Sequence, residues 1–361
     1  MPLKAKTNSE QCTFGAMQKL RLLLYPFSVL YGCITAMRNV GFNKGLLSSE
    51  TFKTPVIAFG NLNTGGTGKT PHSAFLLSQL QDLKTALVSR GYGRNTKGLF
   101  PVELNSSPEN VGDEPLMLKI NSPSTEVLVC EKRAIAIQHL EERSQPDVIV
   151  LDDAFQHRYV KADKTILLTV FNDLFVDDHV LPAGNLREPK SGAKRADLII
   201  VSKSPKNLNS EKKEEIKRRI SSYSKAPVLF SSIAYAPLKY LSNELKNPFK
   251  DCIALTGIAN ATPFIQHLQT QYKVVKHYEY ADHHTFSSDE LEKIAKQSKA
   301  LNIPIITTEK DMIRIPQKLR DEIFNQCTVA YIPISIEMDQ ECLTLFNSQI
   351  IDYVRATHQN H

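Results

Sequence analysis

The glycine-rich segment at residues 65–70, Gly-Gly-Thr-Gly-Lys-Thr, contains the residue types that bind phosphate. It follows an apolar run, residues 55–59, that is typical of a buried strand. Backbone N–H groups and a helix N-terminus would face the anion, Lys69 would reach the outer phosphates, and the Thr70 hydroxyl would ligate Mg²⁺. The sequence therefore predicts a nucleoside triphosphate site. The residues expected to bind the nucleotide are Thr64, Gly65, Gly66, Thr67, Gly68, Lys69, Thr70 and Pro71.

One position departs from the usual Gly-x-x-x-x-Gly-Lys-Thr spacing, because Asn63 stands where the first glycine is expected. The extra glycine at position 65 gives a loop close to that of partitioning-type ATPases. Their additional lysine is missing, since residue 64 is threonine. An ordinary turn is the alternative interpretation, but a strand before the loop and a helix after it favour phosphate binding.

Two acids, Asp152 and Asp153, follow the buried strand predicted at residues 148–151. Acids at a strand end are often only helix caps. After a phosphate-loop strand they are better interpreted, together with Thr70, as the metal side of a nucleotide site.

Residues 112–115, Gly-Asp-Glu-Pro, open a predicted helix. Their acids would be favourable at the helix dipole, and an N-cap is one interpretation of Asp113. The other is that Asp113 accepts a proton from an attacking hydroxyl. The residues themselves leave both open.

Two loops present arginines that could bind phosphate oxygens. Arg90 and Arg94 lie on a glycine-containing turn after a predicted strand, where they could fork onto phosphate. Arg187, which precedes Glu188 in a second loop, could neutralise charge on a transferring phosphoryl group. Each arginine is also compatible with an ordinary surface loop.

The doublet His283-His284 follows Asp282 in the second half of the chain. Adjacent histidines usually point in different directions, so a chelating pair is not expected. An acid–base histidine that works with a carboxylate of the other domain, assembled by domain closure, is the preferred hypothesis.

Composition limits the class of protein. The 361 residues suffice for two domains, and a net charge of +6 suits an anionic substrate or a membrane surface without arguing for nucleic acid. Six scattered cysteines indicate neither a disulfide framework nor a zinc site. No obligate protein partner is evident.

An uncharged stretch of sixteen residues lies between Arg21 and Arg38, interrupted by Pro26. The stretch falls short of the about 20 apolar residues that a spanning helix needs, which favours a segment lying on the membrane over one that spans it and leaves both open. Basic residues flank it, among them Lys19 and Lys44, which favours an amphipathic segment at an anionic lipid surface. A helix packed on the catalytic domain is the alternative.

Short β-branched runs alternate with helical patterns from residue 55 onward, which predicts an α/β fold with a mostly parallel sheet of the P-loop NTPase type and helices on both faces. We expect an N-terminal membrane-contacting helical segment at residues 1–50, an ATP-binding domain at 51–225 and a smaller C-terminal α/β domain at 226–361 that closes over the active site. The predicted strands are 56–59, 86–89, 127–130, 148–151, 166–170, 198–201, 253–256, 273–278, 304–307 and 329–332.

In their order along the chain, these motifs resemble the lipid A 4′-kinase (tetraacyldisaccharide 4′-kinase) family. The resemblance covers most of the sequence. The segments that carry it are 60–61, 65–70, 90–94, 112–115, 152–158, 186–189, 282–284 and 308–311.

The resemblance implies transfer of the γ-phosphoryl group of ATP to the 4′-hydroxyl of an acylated glucosamine disaccharide 1-phosphate, at the cytoplasmic face of a bacterial inner membrane. It implies that Lys69 and Thr70 hold phosphates and Mg²⁺, with Asp152 and Asp153 on the metal side. Ala154 stands where the family commonly has glycine, which is tolerable unless the position needs a positive φ angle.

By the same resemblance Asp113 is the general base, His283 supports it and Arg187 stabilises the phosphoryl group. His283 is chosen over His284 because it directly follows the aspartate. Further residues expected to contact substrate or phosphate are Arg90, Arg94, Glu114, Gln156, His157 and Glu188.

Two other functions compete with the lipid kinase. The first is a P-loop nucleotide switch; guanine selection usually needs Asn-Lys-x-Asp, and the nearest segment, residues 202–205, lacks the aspartate. The second is a kinase for a soluble metabolite, from which dependence of the activity on lipid would distinguish the favoured function.

Overall fold

A computed structural model describes residues 21–242, 249–325 and 327–359. Lys19, Cys12 and part of the expected N-terminal segment lie outside these residues. The α-helices are numbered here in chain order: α1 Tyr25–Asn43, α2 Lys69–Gln79, α3 Pro108–Val111, α4 Asp113–Asn121, α5 Arg133–Arg143, α6 Ser210–Ser221, α7 Thr262–Gln271, α8 Ser288–Leu301, α9 Glu309–Arg314, α10 Gln317–Leu319, α11 Gln340–Phe346 and α12 Asp352–Gln359.

Strands and short irregular helices complete the described secondary structure. The strands are β1 Val56–Asn61, β2 Thr85–Ser89, β3 Phe100–Val102, β4 Glu126–Val129, β5 Val148–Leu151, β6 Lys164–Val170, β7 Leu198–Ser202, β8 Val228–Phe230, β9 Ser232–Tyr235, β10 Lys239–Ser242, β11 Asp251–Thr256, β12 Lys273–Glu279, β13 Ile305–Thr308, β14 Val329–Ile332 and β15 Ile334–Glu337. Two 3₁₀ segments, Phe175–Asp177 and Lys190–Arg195, and two π-helical segments, Arg320–Phe324 and Asn347–Ile351, lie between them.

The chain divides into two compact units, each built from separated segments. The described part of the first unit is residues 21–69, 153–232 and 338–359, and that of the second is 70–152, 233–242, 249–325 and 327–337. The domain boundaries expected after residues 50 and 225 stay a prediction.

In the first unit, β1, β6, β7 and β8 pair in that order, all in parallel. Strands β1 and β7 are buried along their whole length, as strands covered on both faces must be. The carboxyl ends of β1 and β7 therefore reach the same edge of this sheet, where ligands of open α/β sheets bind.

In the second unit, β2 pairs in parallel with both β4 and β5, and β3 joins β4 as an antiparallel edge. A separate sheet has the order β10-β14-β13-β11-β12, parallel except for β10, and β9 pairs with β15. Helix α8 begins with a capping box between Ser287 and Glu290 and ends at Asn302 in the left-handed conformation, so its bounds follow from local sequence.

Helix α1 leaves many apolar side chains in solvent, including Phe27 and Met37, which are 62% and 66% exposed. Within the described ranges, no helix combines the length and the apolar character that crossing a bilayer requires.

The predicted fold class is confirmed: the protein is α/β, with mostly parallel sheet. All the strands predicted from apolar runs are present. The runs missed β3, β8, β9, β10 and β15, which are only three or four residues long.

Candidate active site

The glycine-rich loop of the first unit follows β1 and ends at Lys69, the first residue of α2. Positive φ angles fall on Gly65 (121°) and Gly68 (85°), two positions where a side chain would be strained. Asn63 is not among the residues with positive φ, and its side chain donates to Asp178 Oδ2 at 3.2 Å. The departure from the usual spacing is therefore accommodated, because the residue at position 63 needs no glycine conformation.

Side chains from the end of β7 fix the shape of this loop. Ser202 Oγ donates to the Thr67 carbonyl at 2.7 Å, and Lys203 Nζ donates to the Gly66 carbonyl at 2.7 Å. The Thr64 N–H donates to a carbonyl in the loop before Arg187, also at 2.7 Å. A glycine-rich loop held in one conformation can bind an anion without a large ordering cost.

Lys69 and Arg187 both face Asp153. Lys69 Nζ lies 3.6 Å from Asp153 Oδ1, and Arg187 Nη1 donates to the same oxygen at 3.1 Å. Asp153 has a φ of 49°, a conformation that costs an L-residue about 1 kcal/mol, whereas Ala154 is not among the positive-φ residues. Two cations thus converge on one anionic group, and the alanine at position 154 is tolerated.

Glu188 is 3% exposed, and both of its carboxylate oxygens accept hydrogen bonds from other side chains of the protein. Arg195 donates to both carboxylate oxygens, at 2.7 and 3.0 Å, and Gln156 and Asn39 each donate to one of them, at 3.1 and 2.5 Å. Gln156 also donates to the Asn61 carbonyl at the end of β1, at 2.8 Å. The buried carboxylate therefore joins the loop after β5 to the loop that carries Arg187.

The polar side of α1 contacts these same loops. Tyr31 donates to the Arg187 carbonyl at 3.1 Å, and Arg38 donates to the Gln156 carbonyl at 3.1 Å. The helix thus holds its polar residues against the candidate site and its apolar residues in solvent.

The second unit contains Asp113, at the first position of α4, with its side chain 11% exposed. Three basic side chains surround its Oδ2 atom: Arg314 Nε donates at 2.7 Å, His283 Nδ1 lies at 3.5 Å and Lys310 Nζ at 4.0 Å. Lys310 also pairs with Glu114 Oε1 at 3.1 Å.

Burial alone would raise the pKa of the Asp113 carboxyl. The charges of Lys310 and Arg314, the hydrogen bond from Arg314 and the nearby His283 outweigh it and hold the pKa below its ordinary value of 3.8. Asp113 is therefore ionised at neutral pH, the state in which a carboxylate can accept a proton.

The two histidines of the doublet point in different directions, as expected. His283 has a φ of 60° and faces Asp113, whereas His284 pairs with Glu290 at 3.0 Å. Asp113 and His283, expected to come from two domains that close on each other, both belong to the second unit.

Asp152 ends the buried run of β5 and is 1% exposed. Ser73, one turn into α2, donates to its Oδ1 at 3.1 Å, and Thr70 is 5% exposed on the same helix. In the described part of the chain, no group of three or more His, Cys, Asp or Glu side chains could hold a metal.

Comparison with known proteins identifies the family to which these residues belong. The model of the LpxK family, tetraacyldisaccharide-1-P 4′-kinase, matches residues 20–351. The chain belongs to the tetraacyldisaccharide 4′-kinase family.

Individual relatives agree over their full lengths. The tetraacyldisaccharide 4′-kinase of Flavobacterium psychrophilum is 42% identical over 95% of this chain and 100% of its own, and that of Flavobacterium johnsoniae is 40% identical over 94% and 98%. A crystal structure of LpxK from Aquifex aeolicus, in complex with ATP, has a TM-score of 0.73, with 28% identity over 92% of this chain and 99% of that one.

The residues Arg90, Arg94 and His157, which were also expected to contact phosphate or substrate, differ in how far they are exposed and in what they contact. Arg90 is exposed, whereas the Arg94 side chain is 2% exposed and pairs with Glu131 at 2.6 Å. His157 packs its ring against Tyr159 at 5.8 Å between centroids. A phosphate or substrate contact for each of these residues stays a prediction, and Arg94 would first have to leave its carboxylate.

Sequence reasoning missed several residues that organise the site, namely Asn39, Arg195, Lys310 and Arg314. The first two are isolated polar residues in apolar or mixed surroundings, without a motif. Lys310 lies in the segment 308–311, which carries the family resemblance but was assigned no role, and Arg314 follows that segment by three residues, on the same helix. Helical spacing from 311 to 314 was the one available signal.

Proposed function

We propose that this protein is the kinase of lipid A biosynthesis that phosphorylates the 4′-hydroxyl of a tetraacylated glucosamine disaccharide 1-phosphate with ATP, forming lipid IVA. The observation that carries the proposal is the family match over residues 20–351, in a chain whose glycine-rich loop ends at Lys69. An ionised, largely buried Asp113 adds the base that a sugar hydroxyl needs.

ATP binds at the glycine-rich loop in this proposal. The loop N–H groups and the start of α2 receive the phosphates, and Lys69 contacts the outer ones. Arg187 neutralises the charge of the transferring group. Both cations now face Asp153, and the phosphates replace it as their partner when ATP binds.

The donor set suits Mg²⁺, a hard cation that takes one or two carboxylates together with phosphate oxygens. Asp152, Asp153 and the Thr70 hydroxyl would hold it. When bound, the ion screens the charge of the triphosphate.

Transfer then follows from the residues of the chain. The 4′-hydroxyl oxygen forms a bond to the γ-phosphorus while the bond from that phosphorus to the oxygen of ADP breaks. Asp113 takes the hydroxyl proton and His283 supports it.

We further propose that α1 docks on a lipid bilayer, at the cytoplasmic face of the inner membrane. An acylated substrate stays in the membrane, so the protein must reach it there. The exposed apolar residues that support this are Phe27, Leu30, Ile34 and Met37 on α1, and Leu22, Leu23 and Leu24 directly before it.

Activity is tested with purified protein, labelled ATP, Mg²⁺ and the acylated disaccharide monophosphate in detergent. We expect Lys69→Ala to abolish transfer and Asp113→Asn to lower kcat at least about 100-fold with little effect on ATP affinity. Asp289→Asn is the matched control, because Asp289 is also an acid in the first turn of a helix of the second unit, but is exposed. Turnover by Asp113→Asn equal to the control would exclude the base.

The same assay separates the competing functions. ATP hydrolysis without labelled lipid would indicate a nucleotide switch, and transfer only to soluble sugars would indicate a metabolite kinase. Either result would overturn the proposal.

Membrane docking is tested with Cys33, an exposed cysteine on α1. An environment-sensitive fluorophore at Cys33, in a Cys12→Ser background, should brighten when vesicles of phosphatidylethanolamine and phosphatidylglycerol are added. A fluorophore at Glu211→Cys in a protein that also lacks Cys33, placed on exposed α6 of the same unit, should not change. Equal responses at both positions would contradict docking through α1.

A further inference from the structure

Arg314, the last residue of α9, has a nearly buried guanidinium group, with the side chain 6% exposed. Its Nε donates to Asp113, and its Nη2 donates to Asp282 Oδ1 at 3.2 Å and lies 3.1 Å from His283 Nδ1. One rigid group therefore contacts the proposed base, the proposed partner histidine and the aspartate before it.

The contact with His283 fixes the state of the imidazole. A guanidinium group has five N–H donors and no acceptor, so the His283 Nδ1 that faces it must be the unprotonated, accepting nitrogen. The proton of the neutral ring is then on Nε2, which lies 3.8 Å from Asp282 Oδ2. Nδ1 is also the atom 3.5 Å from Asp113 Oδ2, so its single lone pair lies beside the carboxylate as well as the guanidinium group.

The guanidinium group of Arg314 is itself held in place by further hydrogen bonds. Its Nη1 donates to the Gly257 carbonyl at 2.6 Å and to Asp311 Oδ1 at 3.4 Å. Asp311 is fully buried and accepts from Thr308 Oγ1 at 2.7 Å and from the Gly257 N–H at 3.0 Å. These anchors come from the ends of β11 and β13, so the position of Arg314 is set by the sheet of the second unit.

The charged and titratable groups facing Asp113 come from three elements: Arg314 and Lys310 on α9, His283 in the loop after β12, and Glu114, the neighbour of Asp113 on α4. Lys310 supplies charge at 4.0 Å without a hydrogen bond to Asp113. Arg314 is the group that combines charge, a hydrogen bond and a contact to the histidine.

We propose that Arg314 is a positioning residue for the transfer reaction: it orients the Asp113 carboxylate and holds His283 in the tautomer whose Nδ1 accepts. This role rests on the proposed function, because it matters to catalysis only where Asp113 is the base. A displacement of about 1 Å in such a pair costs on the order of 100-fold in rate.

The experiment compares Arg314→Lys and Arg314→Gln with Arg320→Lys, a matched control that changes a half-buried guanidinium in the next segment of the same unit. Lysine keeps a charge but cannot contact three groups at once. We expect both Arg314 variants to lower kcat about 30- to 100-fold with the KM for ATP within about threefold. The control should keep wild-type values.

The pH profile gives a readout that a purely structural role would not move. Loss of the Arg314 charge and hydrogen bond lets the pKa of Asp113 rise, so the acidic limb of kcat/KM should move to higher pH in Arg314→Gln. Arg314→Lys should move it less. An unshifted limb and a normal kcat in both variants would overturn the proposal.

Nitrogen-15 NMR of His283 tests the tautomer in the wild-type protein and does not depend on any variant folding. The proposal requires an unprotonated Nδ1 and a protonated Nε2 in the neutral ring; a protonated Nδ1 overturns it.

The Asp113→Asn variant separates this inference from the proposed function. Full activity of Asp113→Asn would exclude Asp113 as the base. An inactive Asp113→Asn together with normal Arg314 variants would exclude only the role of Arg314.

Discussion

Replacing Glu188 by glutamine is a sharp test of the buried network in the first unit. The carboxylate accepts four hydrogen bonds, two of them from Arg195. Glutamine keeps one accepting oxygen and turns the other into an N–H₂ group that faces donors. The change removes the charge partner of Arg195 and creates a donor–donor contact in a site that is 3% exposed.

The expected cost follows from the burial of both partners. Breaking a buried ion pair by removing one member costs about 3–5 kcal/mol. The Arg195 side chain is 20% exposed, so water can partly solvate it after the change. We therefore expect a loss of about 2–3 kcal/mol in the free energy of unfolding.

Urea unfolding followed by circular dichroism measures this loss. Glu214→Gln is the control, because Glu214 pairs with Lys217 on exposed α6 and such pairs contribute about 0.2–1 kcal/mol. If Glu188→Gln and the control lose the same amount, the network does not stabilise the unit and the reasoning fails.

Three other predictions concern single residues. In Gly60→Ala, the new Cβ would lie 2.5 Å from Phe155 Cβ and 2.7 Å from the Phe155 backbone nitrogen, so urea unfolding should show a loss of about 1–3 kcal/mol; an unchanged midpoint would contradict this. Hydrogen bonds from a lysine and from a backbone N–H lower the pKa of Asp339 to about 2 from 3.8, so its stabilisation is present above pH 4 and lost as the pH falls towards 2. Asp339→Asn should therefore cost about 1 kcal/mol at pH 7 and progressively less below pH 4, and a pH-independent cost would be evidence against the ion pair. Burial raises the pKa of the Cys252 thiol to about 12, so iodoacetamide at pH 8 should leave it unmodified in the folded protein while exposed Cys33 reacts; modification of Cys252 at the rate of Cys33 would refute the assignment.

The conformation of the glycine-rich loop could be predicted well from the sequence because its signals are local. A buried strand, the glycines and the pair at residues 69–70 are contiguous, and their conformations follow from the residue types. The spacing departure at Asn63 looked uncertain only because φ angles are not visible in a sequence; the positive angles fall on Gly65 and Gly68.

Proximity between distant segments was harder to predict. His283 and Asp113 were paired through the family resemblance, since no local pattern brings them together. Arg314 was missed because a lone arginine at the end of a short helix usually lies in solvent, and only the fold shows the carboxylates around it.

The contact of Asn39 with Glu188 was also not predictable from the sequence. It lies within α1, which was interpreted as a membrane-contacting stretch, and its side chain is instead directed to Glu188. A helix with one apolar and one polar side can serve both purposes, but the partners of the polar side are set by loops more than a hundred residues away in sequence.

The most direct test is to identify the labelled product formed from γ-labelled ATP and the tetraacyldisaccharide 1-phosphate in detergent. We expect wild-type protein to label the lipid at its 4′-position, Lys69→Ala not to label it and Asp113→Asn to label it at least about 100-fold more slowly. Label at any other position of the lipid would contradict this expectation. So would an unlabelled lipid under conditions in which the Asp289→Asn control hydrolyses ATP.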